Sequence, residues 1–99
     1  MANYIRSQTN GGTWFFTLVT YRRQNIFIDT ETVNELKTVI KMVKHKLPFT
    51  INAWVLLPNH MHFIWTLPHN DSNYSKRIGL MKARFTERMR HKFEHPEWL

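Results

Sequence analysis

From His60 to Leu67 the chain alternates with a period of two: His60, His62, Ile64 and Thr66 fall on one side, and Met61, Phe63, Trp65 and Leu67 on the other. Successive side chains of an extended strand point to opposite faces, so this segment reads as a strand with one wholly apolar face. That face must pack against other elements. Both imidazoles are thereby forced onto the opposite, accessible side of a sheet.

The flanks extend the pattern. Ile51, Ala53, Val55 and Leu57 alternate with Asn52, Trp54 and Leu56, as in a central strand over 50–57, and Pro58-Asn59 supplies the turn into the next strand. Upstream, Thr13 to Tyr21 is dense in aromatic and β-branched residues and follows Gly11-Gly12, which predicts a strand buried on both faces. Between these strands Val33, Leu36, Ile40, Val43 and Leu47 keep the spacing of one helical stripe, with Asp29 or Thr30 as cap and Pro48 as stop. A second helix to about His91 follows from Tyr74, Ile78, Met81, Phe85 and Met89, with Asp71, Ser72 or Ser75 as its cap. The order β-α-β-β-α is that of an α+β, ferredoxin-like split β-α-β sheet with its helices on one face, whose final strand the chain does not reach.

A chain of 99 residues has room for one core. We expect a single domain, with residues 1–12 a flexible start, 13–92 the core and 93–99 a truncated tail. The composition, 42% hydrophobic and 21% charged, is that of a folding chain. The absence of cysteine excludes disulfides, thiolate nucleophiles and cysteine-ligated zinc. No apolar run approaches the roughly 20 residues that span a bilayer, so the expectation is a cytoplasmic protein without a membrane partner. A formal charge of +7, with pI near 10.2, favours an anionic partner and points first to nucleic acid. Arg22 and Arg23 follow the first strand, and Lys76, Arg77, Lys82 and Arg84 lie on the second helix, whose charges are nearly all of one sign. These six are the candidate DNA-binding residues. His45, His69, His91 and His95 stand alone in sequence and receive no role.

A His-x-His pair on a strand places its Cβ atoms about 6–7 Å apart on one side, within reach of one divalent ion. His60 and His62 are therefore the candidate metal ligands. Two imidazoles favour zinc, manganese, cobalt or nickel over magnesium, but phosphate and water oxygens would complete a site for Mg²⁺ or Mn²⁺ if the substrate is a phosphate.

The run Leu56-Leu57-Pro58-Asn59-His60-Met61-His62-Phe63-Ile64-Trp65 resembles the signature of the IS200-like tyrosine transposases, especially their REP-associated relatives, in which such a segment forms the HUH motif. Thr17 to Arg23 followed by Ile26-Phe27, the first helix, and Ser75 to Thr86 agree in order and spacing, so the resemblance covers about residues 13 to 90. It implies that His60 and His62 hold a divalent ion on the scissile phosphate of single-stranded or hairpin DNA. It also implies attack by a tyrosine hydroxyl, giving a 5′-phosphotyrosine and a free 3′-hydroxyl. In the family that tyrosine lies on a helix beyond the second long one. None of Tyr4, Tyr21 and Tyr74 fits the role, so no catalytic residue is assigned within 1–99, and the enzymatic activity of this chain is left open. The expected partner is single-stranded or hairpin DNA, bound by a monomer or a homodimer. A non-catalytic ferredoxin-like nucleic-acid-binding module is the alternative, and a metal-binding core serving only assembly a third.

Overall fold

The structure, a computed structural model, describes the backbone of residues 2–6 and residues 12–93 in full. Its elements are β1 (Ala2–Arg6), β2 (Thr13–Val19), α1 (Thr30–Lys46), β3 (Thr50–Leu57), β4 (His60–Thr66) and α2 (Tyr74–Met89), with a short 3-10 turn at Tyr21–Arg23. The strands form one antiparallel-paired sheet in the order β1-β2-β4-β3. Because β4 runs antiparallel to both β2 and β3, those two are parallel to each other. This is the split β-α-β arrangement, with α1 as the crossover.

Three departures from the sequence reading have physical causes. Residues 2–6, expected within a flexible start, pair with β2 from Ala2↔Leu18 to Arg6↔Trp14. They occupy the side of β2 where the final strand of a ferredoxin-like sheet would lie, and satisfy backbone groups that an open edge would leave unpaired. No strand follows α2 among the described residues, and residues 94–99, part of the expected tail, lie outside them. Second, β2 is buried on one face only. Trp14, Phe16 and Leu18 are in the core, while Phe15 is 46% exposed on the other side. Third, β3 is an edge strand, and its alternation is broken by a bulge between Ile51 and Ala53. The extra residue turns Trp54 and Leu56 inward with Ile51 and leaves Val55 outward.

Both helices cover one face of the sheet. Met61, Phe63 and Trp65 of β4 are fully buried, as the alternation requires, beneath Leu36, Val39, Ile40 and Val43 of α1 and Ile78, Met81, Phe85 and Met89 of α2. Phe16 and Trp65 meet edge to face with ring centroids 4.6 Å apart, and Phe49 closes on Trp65 at 4.1 Å. Asp29 caps α1 through a 3.1 Å bond from the Thr32 amide. The cap of α2 is Asn73, which accepts from Lys76 N at 3.1 Å. Asp71, one of the expected caps, accepts from Asn73 N and pairs with Arg77 instead.

Candidate metal and DNA site

Because α1 and α2 occupy one face, no element of the described residues covers the other face of the sheet. On it the strand register sets Val19, His60 and Leu57 in one row, Thr17, His62 and Val55 in the next, and Phe15, Ile64 and Ala53 in a third. The imidazoles of His60 and His62 are half-buried with ring centroids 5.0 Å apart at 86°. The sequence pattern thus places them correctly on one side.

The hydrogen bonds of the two rings are more informative than their proximity. His60 Nδ1 lies 2.7 Å from Asn59 Oδ1. An amide oxygen only accepts, so Nδ1 donates, and in the neutral ring Nε2 keeps its lone pair. His62 Nδ1 lies 2.8 Å from Thr17 Oγ1 on the neighbouring strand, a hydroxyl able to accept in the same way. Each ring is thereby tied through one nitrogen and leaves the other for a ligand, the arrangement by which oxygen partners orient metal-binding histidines. No group of three or more His, Cys, Asp or Glu side chains suited to a metal occurs among the described residues. The pair therefore fits as two ligands of a site whose remaining positions need oxygens from water, phosphate or a further protein group.

The end of the sheet beside His60 is locked to the loop after β2. Thr20, fully buried, donates its amide to Asn59 O at 3.0 Å, its hydroxyl bonds Gln24 O at 2.8 Å, and Phe27 N reaches Pro58 O at 3.0 Å. These bonds hold Tyr21–Arg23 next to the Pro58-Asn59 turn. Within it Arg22 and Arg23 both have left-handed backbones, φ 51° and 52°. Side chains other than glycine adopt this region at a cost, so two in succession persist only where the surroundings fix them. Both arginines are exposed, and Arg22 lies over the Tyr21 ring at 5.2 Å.

The candidate cations on α2 fare differently. Arg77 was expected on the DNA-binding surface, but it is 2% exposed. Its guanidinium pairs with Asp71 at 3.0 Å and donates to the carbonyls of Leu47, Pro48 and Asn73. A planar cation with five donors can bind three carbonyls and a carboxylate at once, and here it ties the start of α2 to the loop after α1. It has no face left for phosphate. Lys76 is exposed, Lys82 is half-buried with its pKa lowered by that burial, and Arg84 pairs with Glu87 at 2.7 Å. All three lie on the helix side of the sheet, away from the imidazoles. The positive charge of α2 and of the turn after it is also answered by α1 and its cap: Arg88 pairs with Glu35, and Lys92 with Asp29 and Glu31. Tyr74 packs against Trp14 with centroids 4.3 Å apart and the rings tilted by 32°, again on the helix side.

The sequence reading missed Asn59 and Thr17. Asn59 was legible as the residue before the pair, whereas Thr17 becomes a partner of His62 only through the register of β2 on β4.

An α+β sheet with two helices on one face and a tethered histidine pair on the other defines the class of protein. The sequence profile described as "Transposase IS200 like" matches residues 12–98, and the chain belongs to that family. It is 45% identical over 86 residues to the REP-associated tyrosine transposase of Escherichia coli K12, an alignment covering 87% of this chain and 52% of that protein. A relative from Haemophilus influenzae is 38% identical over 89 residues, covering 90% and 50%. The chain thus spans about half the length of the curated relatives it matches. Among solved structures, a REP-associated tyrosine transposase bound to a REP hairpin superposes with a TM-score of 0.80 at 42% identity, over 100% of this chain and 58% of that one. A Deinococcus radiodurans crystal structure shares the fold at TM-score 0.68 and 16% identity, over 91% and 68%. No helix of the described residues is long and apolar enough to cross a membrane.

Proposed function

We propose that this chain binds hairpin or single-stranded DNA across the open face of its sheet and uses His60 and His62 to hold a divalent ion, Mg²⁺ or Mn²⁺, against a phosphate. The observation that carries this reading is the tethering of both Nδ1 atoms, to Asn59 and to Thr17, which leaves both Nε2 atoms for a ligand. A divalent ion bound there supplies stabilisation of negative charge on the non-bridging oxygens of a scissile phosphate. Arg22 and Arg23, held beside His60 by the Thr20 and Phe27 hydrogen bonds, would grip the backbone of the same strand. The hairpin-bound structural neighbour supports DNA as the partner. Lys76, Lys82 and Arg84 lie on the helix side and would serve a separate stretch of DNA.

Within the family resemblance, strand cleavage by a tyrosine hydroxyl would give a 5′-phosphotyrosine. Tyr74 is directed into the helix side of the sheet, away from the imidazoles, and is not proposed as that nucleophile.

One observation favours the alternative of a non-catalytic nucleic-acid-binding module. Phe15 is exposed on the same open face, in the position of a base-stacking aromatic. A binding titration separates the two. DNA binding that requires Mn²⁺ and is lost in His60→Ala supports the metal-site reading, and metal-independent binding with a preference for RNA supports the module.

A further inference from the structure

The charges of α1 are segregated along its length. Its acidic residues Glu31 and Glu35, together with the capping Asp29, face the end of α2 and are paired with Lys92, Arg88 and Lys92 respectively. Lys37, Lys41 and Lys44 follow at i, i+4 and i+7, on one helical face, and all three are exposed. No ion pair among the described residues involves them. They line one wall of a groove between α1 and β3, with Ile40, Ile51 and Trp54 as its floor. Trp54 is fixed there by stacking on Phe63, with rings 5.3 Å apart and within 4° of parallel.

This groove is not the imidazole face. Ile51 and Trp54 stand opposite Trp65 and Phe63, whose side chains point to the helices, whereas Val55 and Leu57 stand opposite His62 and His60. The groove therefore opens on the helix side of the β3 edge. Lysines in a last helical turn commonly offset the helix dipole, which accounts for Lys44 and Lys46. It does not account for Lys37 and Lys41, which lie nearer the middle.

We infer that this groove is a second DNA contact, taking the phosphate backbone of a duplex stem while the imidazole face takes a single strand. From Lys37 to Lys44 the helix rises roughly 10 Å, a length over which one strand of a duplex presents about three phosphates. Three ammonium groups on one face, without an ion-pair partner among the described residues, match that stretch of backbone in sign and in number. The inference rests on the DNA-binding reading above.

The test is fluorescence anisotropy with a labelled DNA hairpin and with a single strand lacking the stem, in Mn²⁺, over a series of KCl concentrations. The triple variant K37Q/K41Q/K44Q, checked for folding by thermal melting, should bind the hairpin at least about 10-fold more weakly. Its salt slope should be smaller by about 2 to 3, since each neutralised duplex phosphate contributes about 0.9. The Arg triple variant should restore both. Hairpin binding should also quench tryptophan emission in the wild type and less so in Trp54→Phe. A folded Gln triple variant with wild-type affinity and slope would overturn the inference, as would an equal loss on hairpin and single strand. Failure of the wild type to bind either DNA would instead remove the DNA-binding reading itself, and the groove assignment with it.

Discussion

Thr17 Oγ1 and His62 Nδ1 lie 2.8 Å apart across the β2–β4 ladder, 45 residues apart in sequence. The bond joins a strand that otherwise contributes core to the histidine pair, and it determines which His62 nitrogen remains for a ligand. Thr17→Val keeps the shape and removes the oxygen. Loss of such an outer partner typically costs 10–100-fold in metal affinity, so Mn²⁺ binding measured by calorimetry should weaken by about 10-fold or more. Asn59→Ala should act likewise through His60. Wild-type affinity in both variants would mean that strand geometry alone orients the rings.

Arg77 makes the opposite case, a cation whose role is internal. Replacing it with Ala leaves the carbonyls of Leu47, Pro48 and Asn73 without their donor and deprives Asp71 of its partner. The expected loss is roughly 2–3 kcal/mol in urea unfolding, the scale for removing a buried charged donor from its acceptors, Asp71 itself being partly exposed. At temperatures where the variant is folded, the salt slope of DNA binding should equal that of the wild type. A slope reduced by about one would mark Arg77 as a phosphate contact.

The contrast between these residues shows what the sequence could reveal. The alternation of 60–67 was enough to put His60 and His62 on one face and Met61, Phe63 and Trp65 in the core, because a strand's period leaves no other choice. Both helices were legible for the same reason. Arg77 was not, since its position on the helix stripe next to Ile78 looks like surface until the Leu47-Pro48 carbonyls are brought against it by the tertiary fold. Nor could the pairing of Arg88 with Glu35 be read, because those residues are 53 apart and meet only when the helices pack. The lysine-lined groove was hidden likewise: Lys37, Lys41 and Lys44 are ordinary helix surface until β3 supplies Ile51 and Trp54 beside them.

The link between the two helices should weaken in acid. Asp29 has its pKa lowered from 3.8 to about 2, first by the hydrogen bond from Lys92, and it also accepts the Thr32 amide. A carboxyl with a depressed folded-state pKa contributes stability that is complete above the unfolded value and is lost as pH falls through the folded one. Melting temperature should therefore decline between about pH 4 and pH 2. Glu35, lowered by Arg88, and Asp71, lowered by Arg77, add to the same trend. In Lys92→Met the Asp29 titration followed by NMR should move up toward 3.8, the ordinary value. An unmoved titration would show that the Thr32 amide alone holds Asp29 ionised.

Gly79 gives a prediction of the opposite sign. It lies within α2, between the buried Ile78 and the half-buried Leu80, and is itself exposed. A Cβ built on it meets nothing within 4 Å, and its φ is not in the left-handed region. Neither space nor backbone conformation requires glycine, which costs a helix interior roughly 0.8–1 kcal/mol relative to alanine, chiefly through the entropy of the unfolded chain. Gly79→Ala should therefore stabilise the protein by about that amount in urea unfolding, without a change in the dependence on urea concentration. Because α2 lies on the far side of the sheet from His60 and His62, Mn²⁺ affinity should be unaltered. If Gly79→Ala instead weakens hairpin binding while raising stability, the exposed flank of α2 at Gly79 is a place where DNA approaches the backbone closely, and the glycine is kept for that approach.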